Sequence, residues 1–284
     1  MRIFLKEALL IVVSLFLILC VVEVLLRVTK LATDIPWSKG SRVLGFKFTP
    51  NQTGTWIVGK WGDNKATFHM NSDGWNAVRD YTAQKIPGTT RVAVIGDSYV
   101  EALNVEPAAA MSAVLENARL QRGLKIEVYP FGISSASASH YLAMMRYVRA
   151  RFSPDLYIVN IVHNDIQDSL AATTGDRAIY FGVRQDGDSF EEVPPKIYQP
   201  SLLRRIIGHW AIARYLYVNL GLMWKLERRD QAGFRVERQN QPRQFEANID
   251  VTKMMGTQEG RQLTKYIFAN TLTKLKTTVR SWCF

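Results

Sequence analysis

Cysteine is nearly absent from this chain. Its 284 residues include only Cys20 and Cys283. One lies in an apolar run and the other is next to last, so no disulfide framework holds the fold. Histidine is as scarce: His69, His140, His163 and His209 are the full set. They are scattered and the cysteines are isolated, which gives no metal-ligand spacing. No metal and no cofactor is expected. Acidic side chains are the third shortage, with 25 Asp and Glu against 36 Lys and Arg for a net charge of +11. No recognition motif accompanies this charge, so nucleic acid is not an expected partner. No internal repeat or long low-complexity run appears, and the length fits one domain plus appendages.

What the chain does have begins at its N-terminus. Ala8 to Val22 is apolar except for Ser14; Glu23 interrupts, and Val24, Leu25 and Leu26 continue before Arg27. The run through Leu26 reaches spanning length. Arg2 and Lys6 form a basic leader, and no small-x-small cleavage site follows. Leu19, before Cys20, is not the small residue that a lipoprotein site needs. Residues 1–30 are therefore expected to be an uncleaved signal anchor. Residues 8–26 would contact the membrane, with the remainder outside the cytoplasm at the inner membrane, periplasm or cell surface of a bacterium. A cleaved signal peptide is one alternative. A buried helix of a soluble domain, suggested by Glu23, is the other.

The most informative stretch is Arg91-Val92-Ala93-Val94-Ile95-Gly96-Asp97-Ser98-Tyr99. Four apolar residues in a row suit a short strand buried on both faces, as in a parallel sheet. Gly96 permits a sharp turn, and Ser98 then stands at the strand's C-terminal edge, where open α/β sheets bind ligands. A serine there, ahead of a helix, has the geometry of an exposed nucleophile near backbone N–H donors. Asp97 reads as a turn or helix-cap residue. Two further β-rich runs follow. Lys125 to Tyr129 leads into Pro130-Phe131-Gly132-Ile133-Ser134-Ser135, and Leu156 to Val162 leads into His163-Asn164-Asp165. Helix-compatible segments separate the three, which is the βαβ rhythm of a parallel sheet.

A serine, a glycine and an asparagine thus end three successive strands, and in this the chain resembles the SGNH (GDSL-like) hydrolases. Ser98 matches the family's nucleophile in Gly-Asp-Ser, Gly132 its second-block glycine and Asn164 its third-block asparagine. Asn71-Ser72-Asp73-Gly74-Trp75 and Pro87-Gly88 resemble subfamilies found with bacterial surface-polysaccharide genes. The resemblance covers roughly residues 70–170 well. It implies a three-layer α/β/α fold with a parallel, flavodoxin-like sheet, over 89–284, behind a linker and β-like extension at 31–88. It also implies an ester hydrolase or O-acyltransferase acting on an acylated extracytoplasmic glycan or a small ester. The Ser98 and Gly132 N–H groups and the Asn164 amide would form the oxyanion hole, since preorganised donors aimed at a developing oxyanion dominate acyl-transfer catalysis. Asp165 would order its loop.

The resemblance also exposes a gap. The family carries its base and the orienting carboxylate in an Asp-x-x-His near the C-terminus. Here the residues three before the histidines are Ala66, Ser137, Asn160 and Ile206. His163 adjoins Asn164 and is expected to point away from it. Thr257 to Arg280 reads as an amphipathic helix with no strand after it. The expectation is a family member cut short before its last strand, or a divergent one. The alternative function is a catalytically impaired remnant that binds a glycan or a partner. Residues 171–200 read as loop, and 201–256 as a helical insertion followed by a polar loop. Residues 201–284 carry 15 Lys and Arg against 6 Asp and Glu. That basic region would face anionic lipid head groups or an acidic glycan, or else solvate helices whose partners are absent.

Overall fold

The computed structural model describes residues 2–162, 164–171, 178–187, 189–222 and 258–274. In chain order its elements are α1 (Arg2–Thr29), β1 (Ser38–Ser41), β2 (Gly45–Phe48), β3 (Gln52–Val58), β4 (Asn64–Met70), β5 (Thr90–Gly96) and α2 (Ser98–Glu101). There follow α3 (Met111–Leu120), β6 (Ile126–Gly132), α4 (Ala138–Phe152), β7 (Leu156–Val159), α5 (Asp165–Ala171), β8 (Gly182–Asp186) and β9 (Ser189–Val193). Last come α6 (Leu202–His209), α7 (Ala211–Arg214), a π-helical turn (Tyr215–Asn219) and α8 (Gln258–Lys274). The chain forms two compact units. The first comprises 1–36, 54–67 and 200–242; the second comprises 37–53, 68–199 and 243–284.

The second unit is mixed α/β and is built on a parallel sheet of order β6-β5-β7. Val92 to Ile95 are all buried, as a strand covered on both faces requires. Side chains alternate across the strand, and the two sets enter different clusters. Ala93 and Ile95 pack with Tyr129 and Phe131 of β6 and with Tyr141, Met144, Val148 and Phe152 of α4; Leu263 and Ile267 of α8 join them. Val92 and Val94 pack instead with Val100, Val128 and Leu115 of α3. At the sheet's other end Arg91, with no exposed surface, holds several elements together. Its Nε donates to Glu127 at 2.8 Å and its Nη1 to the Phe152 carbonyl at 2.6 Å. Nη2 donates to the Gln84 carbonyl at 3.1 Å, and the guanidinium lies 5.0 Å from the Tyr129 ring centre.

Residues 171–200 are not simply a loop. β8 and β9 pair antiparallel around Gly187, with Gly182 opposite Val193 and Asp186 opposite Ser189. Phe181 and Val183 enter the core. Gly187 sits at the hairpin turn, Gly182 opens β8, and Pro194 and Pro195 follow β9. The C-terminal helix runs over Gln258–Lys274; the expected continuation to Arg280 and the polar loop at 223–256 lie outside the described residues.

The first unit gathers segments far apart in sequence. Thr33 N–H donates to Asn219 Oδ1 at 3.1 Å, and Ile57 N–H donates to Thr33 Oγ1 at 2.9 Å. Asp34 accepts from Thr55 N–H at 2.9 Å and pairs with Arg214. Tyr215 Oη donates to the Lys60 carbonyl at 2.8 Å. Lys6–Thr29 of α1 is long and apolar enough to cross a membrane, with none of it buried in protein; a signal sequence has the same character.

Candidate active site

The site is set by where β5, β6 and β7 end. Gly96 lies opposite Gly132 across one ladder, and Ile95 lies opposite Val159 across the other. The turns after all three strands therefore open at one edge of the sheet. Asn160 N–H, just past β7, donates to the Ile95 carbonyl at 2.8 Å. A Cβ on Gly96 would stand 2.4 Å from Val100 Cγ2 and 3.2 Å from Asn160 Cβ. Glycine lets the chain turn into α2 directly over the strand end.

Asp97 is buried and caps α2. Its Oδ1 accepts from Tyr99 N–H at 3.0 Å, and its carbonyl accepts from Glu101 N–H at 2.9 Å. Ser98, the first residue of α2, is exposed. Its hydroxyl has no hydrogen-bond partner among the described residues.

Gly132 is buried against the backbone of α2. A Cβ there would lie 2.0 Å from Glu101 N and 2.5 Å from Glu101 Cα. Backbone atoms cannot yield as a side chain can, so only glycine permits this approach.

Glu101, which no sequence motif marks, joins the two turns. It is 3% exposed, and its carboxylate accepts from Ser134 N–H, two residues beyond Gly132. Its carbonyl accepts from Asn76 Nδ2 at 2.8 Å. Burial pushes its carboxyl up to about 7, with help from the Asp97 charge and against the Ser134 hydrogen bonds. The available signal was an acidic residue three positions after the candidate nucleophile, on the same helical turn.

Asn164 opens the turn into α5. Its Nδ2 donates to Asp168 Oδ2 at 2.6 Å, and its carbonyl accepts from Asp168 N–H at 2.8 Å. In this arrangement the amide engages α5, and one of its two N–H groups remains for another acceptor. Asp165 is fully buried. Its Oδ2 accepts from Val162 N–H at 2.8 Å and from the Tyr141 hydroxyl at 2.9 Å, which closes the 162–165 turn. Burial raises the Asp165 carboxyl to about 6, opposed by those two bonds and assisted by Asp97 and Asp168. Asp97, Asp165 and Asp168 also push the buried Tyr141 phenol upward, after burial itself. The strand ends thus share an acidic, largely buried underside beneath an exposed serine.

The described histidines are engaged elsewhere. His140 on α4 is fully buried; its Nδ1 accepts from Phe181 N–H at 2.9 Å, and its ring stands edge-on to Tyr180 at 5.4 Å. Burial lowers its pKa to about 3, so it stays neutral. His69 Nδ1 pairs with the Ala77 carbonyl at 2.9 Å. His209 ends α6 in the first unit. His163 lies outside the described residues. Among the described residues no three His, Cys, Asp or Glu side chains gather as a metal site.

No protein-family model and no curated protein matches the chain. Among solved structures it is similar to AlinE4, described as an SGNH-hydrolase family esterase. That match has 21% identity and a TM-score of 0.27, over 31% of this chain and 48% of the esterase. An aspartate-to-alanine variant of AlinE4 gives the same values. A serine-to-alanine variant aligns over 67% of this chain and 74% of its own, at 15% identity and a TM-score of 0.29. In the first two matches the chain spans about half the length of the esterase.

Proposed function

We propose that this chain is a serine esterase or O-acyltransferase of the SGNH type, anchored by α1 and directed at acyl groups of an extracytoplasmic glycan. The observation that carries the reading is the exposed Ser98 hydroxyl at the C-terminal edge of the central parallel strand, with the Gly132 and Asn164 turns at the same edge. The resemblance of the three sequence blocks supports the family. The separate clusters on the two faces of β5 support the three-layer α/β/α arrangement. The glycan and the membrane rest on the Asn71–Trp75 resemblance and on α1.

In this reading Ser98 Oγ attacks an ester carbonyl. A new C–O bond forms, and the oxyanion is held by the Ser98 and Gly132 N–H groups and the Asn164 amide. The sugar hydroxyl leaves with a proton, and water or a second hydroxyl then takes the acyl group from Ser98. A base must receive the serine proton. No histidine among the described residues is bonded to Ser98, and the sequence has no Asp-x-x-His. Turnover of p-nitrophenyl acetate is therefore expected to fall orders of magnitude below the usual 1–1,000 per second. Residual acceleration of about a thousand- to ten-thousand-fold over water is the benchmark for a serine site that has lost a triad member.

That no described histidine is bonded to Ser98 also favours a second reading, a non-catalytic binder of glycan or partner. A fluorophosphonate probe separates the two. Labelling of the full chain that is lost in Ser98→Ala is the expected result. Equal labelling of both proteins would remove Ser98 from the role, and no labelling of either would favour the binder.

A further inference from the structure

α6 is amphipathic, and its described apolar side chains are open. Leu202 and Ile206 lie one turn apart on the same face, 73% and 48% exposed, and Trp210 at the junction with α7 is 55% exposed. Arg204, on the opposite side of the helix, and Arg205, which flanks Leu202 one turn on, are exposed as well. So short a helix is marginal in water by itself, and an uncovered apolar stripe adds nothing to its stability there.

The contacts at its end show where it sits. Arg27 Nη2 of α1 donates to the His209 carbonyl, the last residue of α6, at 2.7 Å. The Glu23 carboxylate of α1 accepts from Ala211 N–H and Ile212 N–H, each at 2.9 Å, and so caps α7. The α6–α7 junction is therefore clamped to the last two turns of α1. The 24-residue apolar stretch Lys6–Thr29 is about 36 Å long, against a hydrocarbon core of about 30 Å. If its N-terminal part fills the core, Arg27 emerges at the headgroup level and brings His209 and α6 there with it. Tryptophan prefers that level. Arginines beside an apolar stripe suit the anionic phosphates found there.

We infer that α6 lies on the surface of an anionic bilayer, with Leu202, Ile206 and Trp210 entering the headgroup layer and Arg204 and Arg205 meeting lipid phosphates. This rests on the reading of α1 as a membrane span. It gives the basic C-terminal third a defined contact, and it fixes the first unit to the bilayer at two places.

The test uses the full chain, with Cys20→Ser and Cys283→Ser, in vesicles of phosphatidylglycerol and phosphatidylethanolamine. Spin labels are placed singly at Ile206→Cys, Arg204→Cys and Phe16→Cys, and their collision with oxygen and with a water-soluble nickel chelate is measured. A lipid-facing label meets oxygen and not nickel. The expected oxygen-to-nickel ratio at Ile206 is about fivefold or more above that at Arg204, as for a helix lying in the interface. The ratio at Ile206 is expected to fall in phosphatidylcholine vesicles. A water-like ratio at Ile206 with a lipid-like ratio at Phe16 overturns this inference alone. A water-like ratio at Phe16 overturns the span and the inference together. Shielding of Ile206 from both reagents means that protein covers the face, a partner or a second copy, and overturns it too. An unchanged ratio in phosphatidylcholine overturns the part given to Arg204 and Arg205.

Discussion

Glu101 does the work of a rivet at the residue scale, because one side chain fixes the turn carrying Gly132 to the helix carrying Ser98. Its carboxyl is raised to about 7, above its value in the unfolded chain. The stability it contributes is complete below about pH 4.5 and is lost as pH rises through about 7. Asp165, raised to about 6, acts in the same direction. His140, lowered to about 3, acts oppositely: its contribution is present above pH 6.5 and is lost as pH falls. Glu101→Gln keeps an acceptor for Ser134 N–H and cannot ionise. Between pH 5 and pH 8.5 the wild-type chain should lose on the order of 2–3 kcal/mol more stability than this variant. Urea unfolding across that range measures the difference, and parallel pH curves would count against the raised carboxyl. The places of Ser98, Gly132 and Asn164 after three parallel strands were legible, because apolar runs ending in such residue types stand out. Glu101 was not, since a lone acidic residue on a short helix reads as solvated until its burial is known.

At the scale of elements, β5 is the organising piece, with Arg91 at one end and Ser98 at the other. The Arg91 guanidinium is surrounded by β6, the end of α4 and the 82–84 segment, all through charge-assisted hydrogen bonds. Removing it leaves Glu127, itself buried, without its cation. Arg91→Met is expected to cost about 3–5 kcal/mol, and the double change with Glu127→Leu much less. A loss under about 1 kcal/mol for the single variant in denaturant titration would show that the pair is not integral to the sheet. The three strands were readable because parallel strands buried on both faces need unbroken apolar runs. The β8–β9 hairpin was not. Its core contacts come from Val183 and Phe190, with Phe181 just before it, while Arg184, Gln185 and Asp186 are exposed, so too few apolar positions alternate to stand out. Likewise, nothing local showed that the helical insertion expected from residue 201 would break at Trp210, where Glu23 supplies a new cap from far away in the sequence.

For the whole molecule, the first expectation is attachment. The intact chain should remain in the pellet after carbonate extraction, whereas recovery as a shorter soluble product would identify α1 as a cleaved signal. The apolar helix was legible from composition alone; its link to residues 209–212 was not, since pairing across 182–189 positions leaves no periodic trace. That separation has a consequence for biogenesis. The sheet of the second unit pairs within residues 90–159 and can close soon after they leave the ribosome. Glu23 must wait for Ala211, which is 188 residues behind it. At about 5–20 residues per second this is a delay of roughly 10–40 s. During that interval a carboxyl near the end of an apolar helix has no capping partner. A chaperone or the insertion machinery would meet α1 in that state, so arrest of synthesis before residue 211 should leave a nascent chain whose anchor is more easily extracted than that of the finished protein.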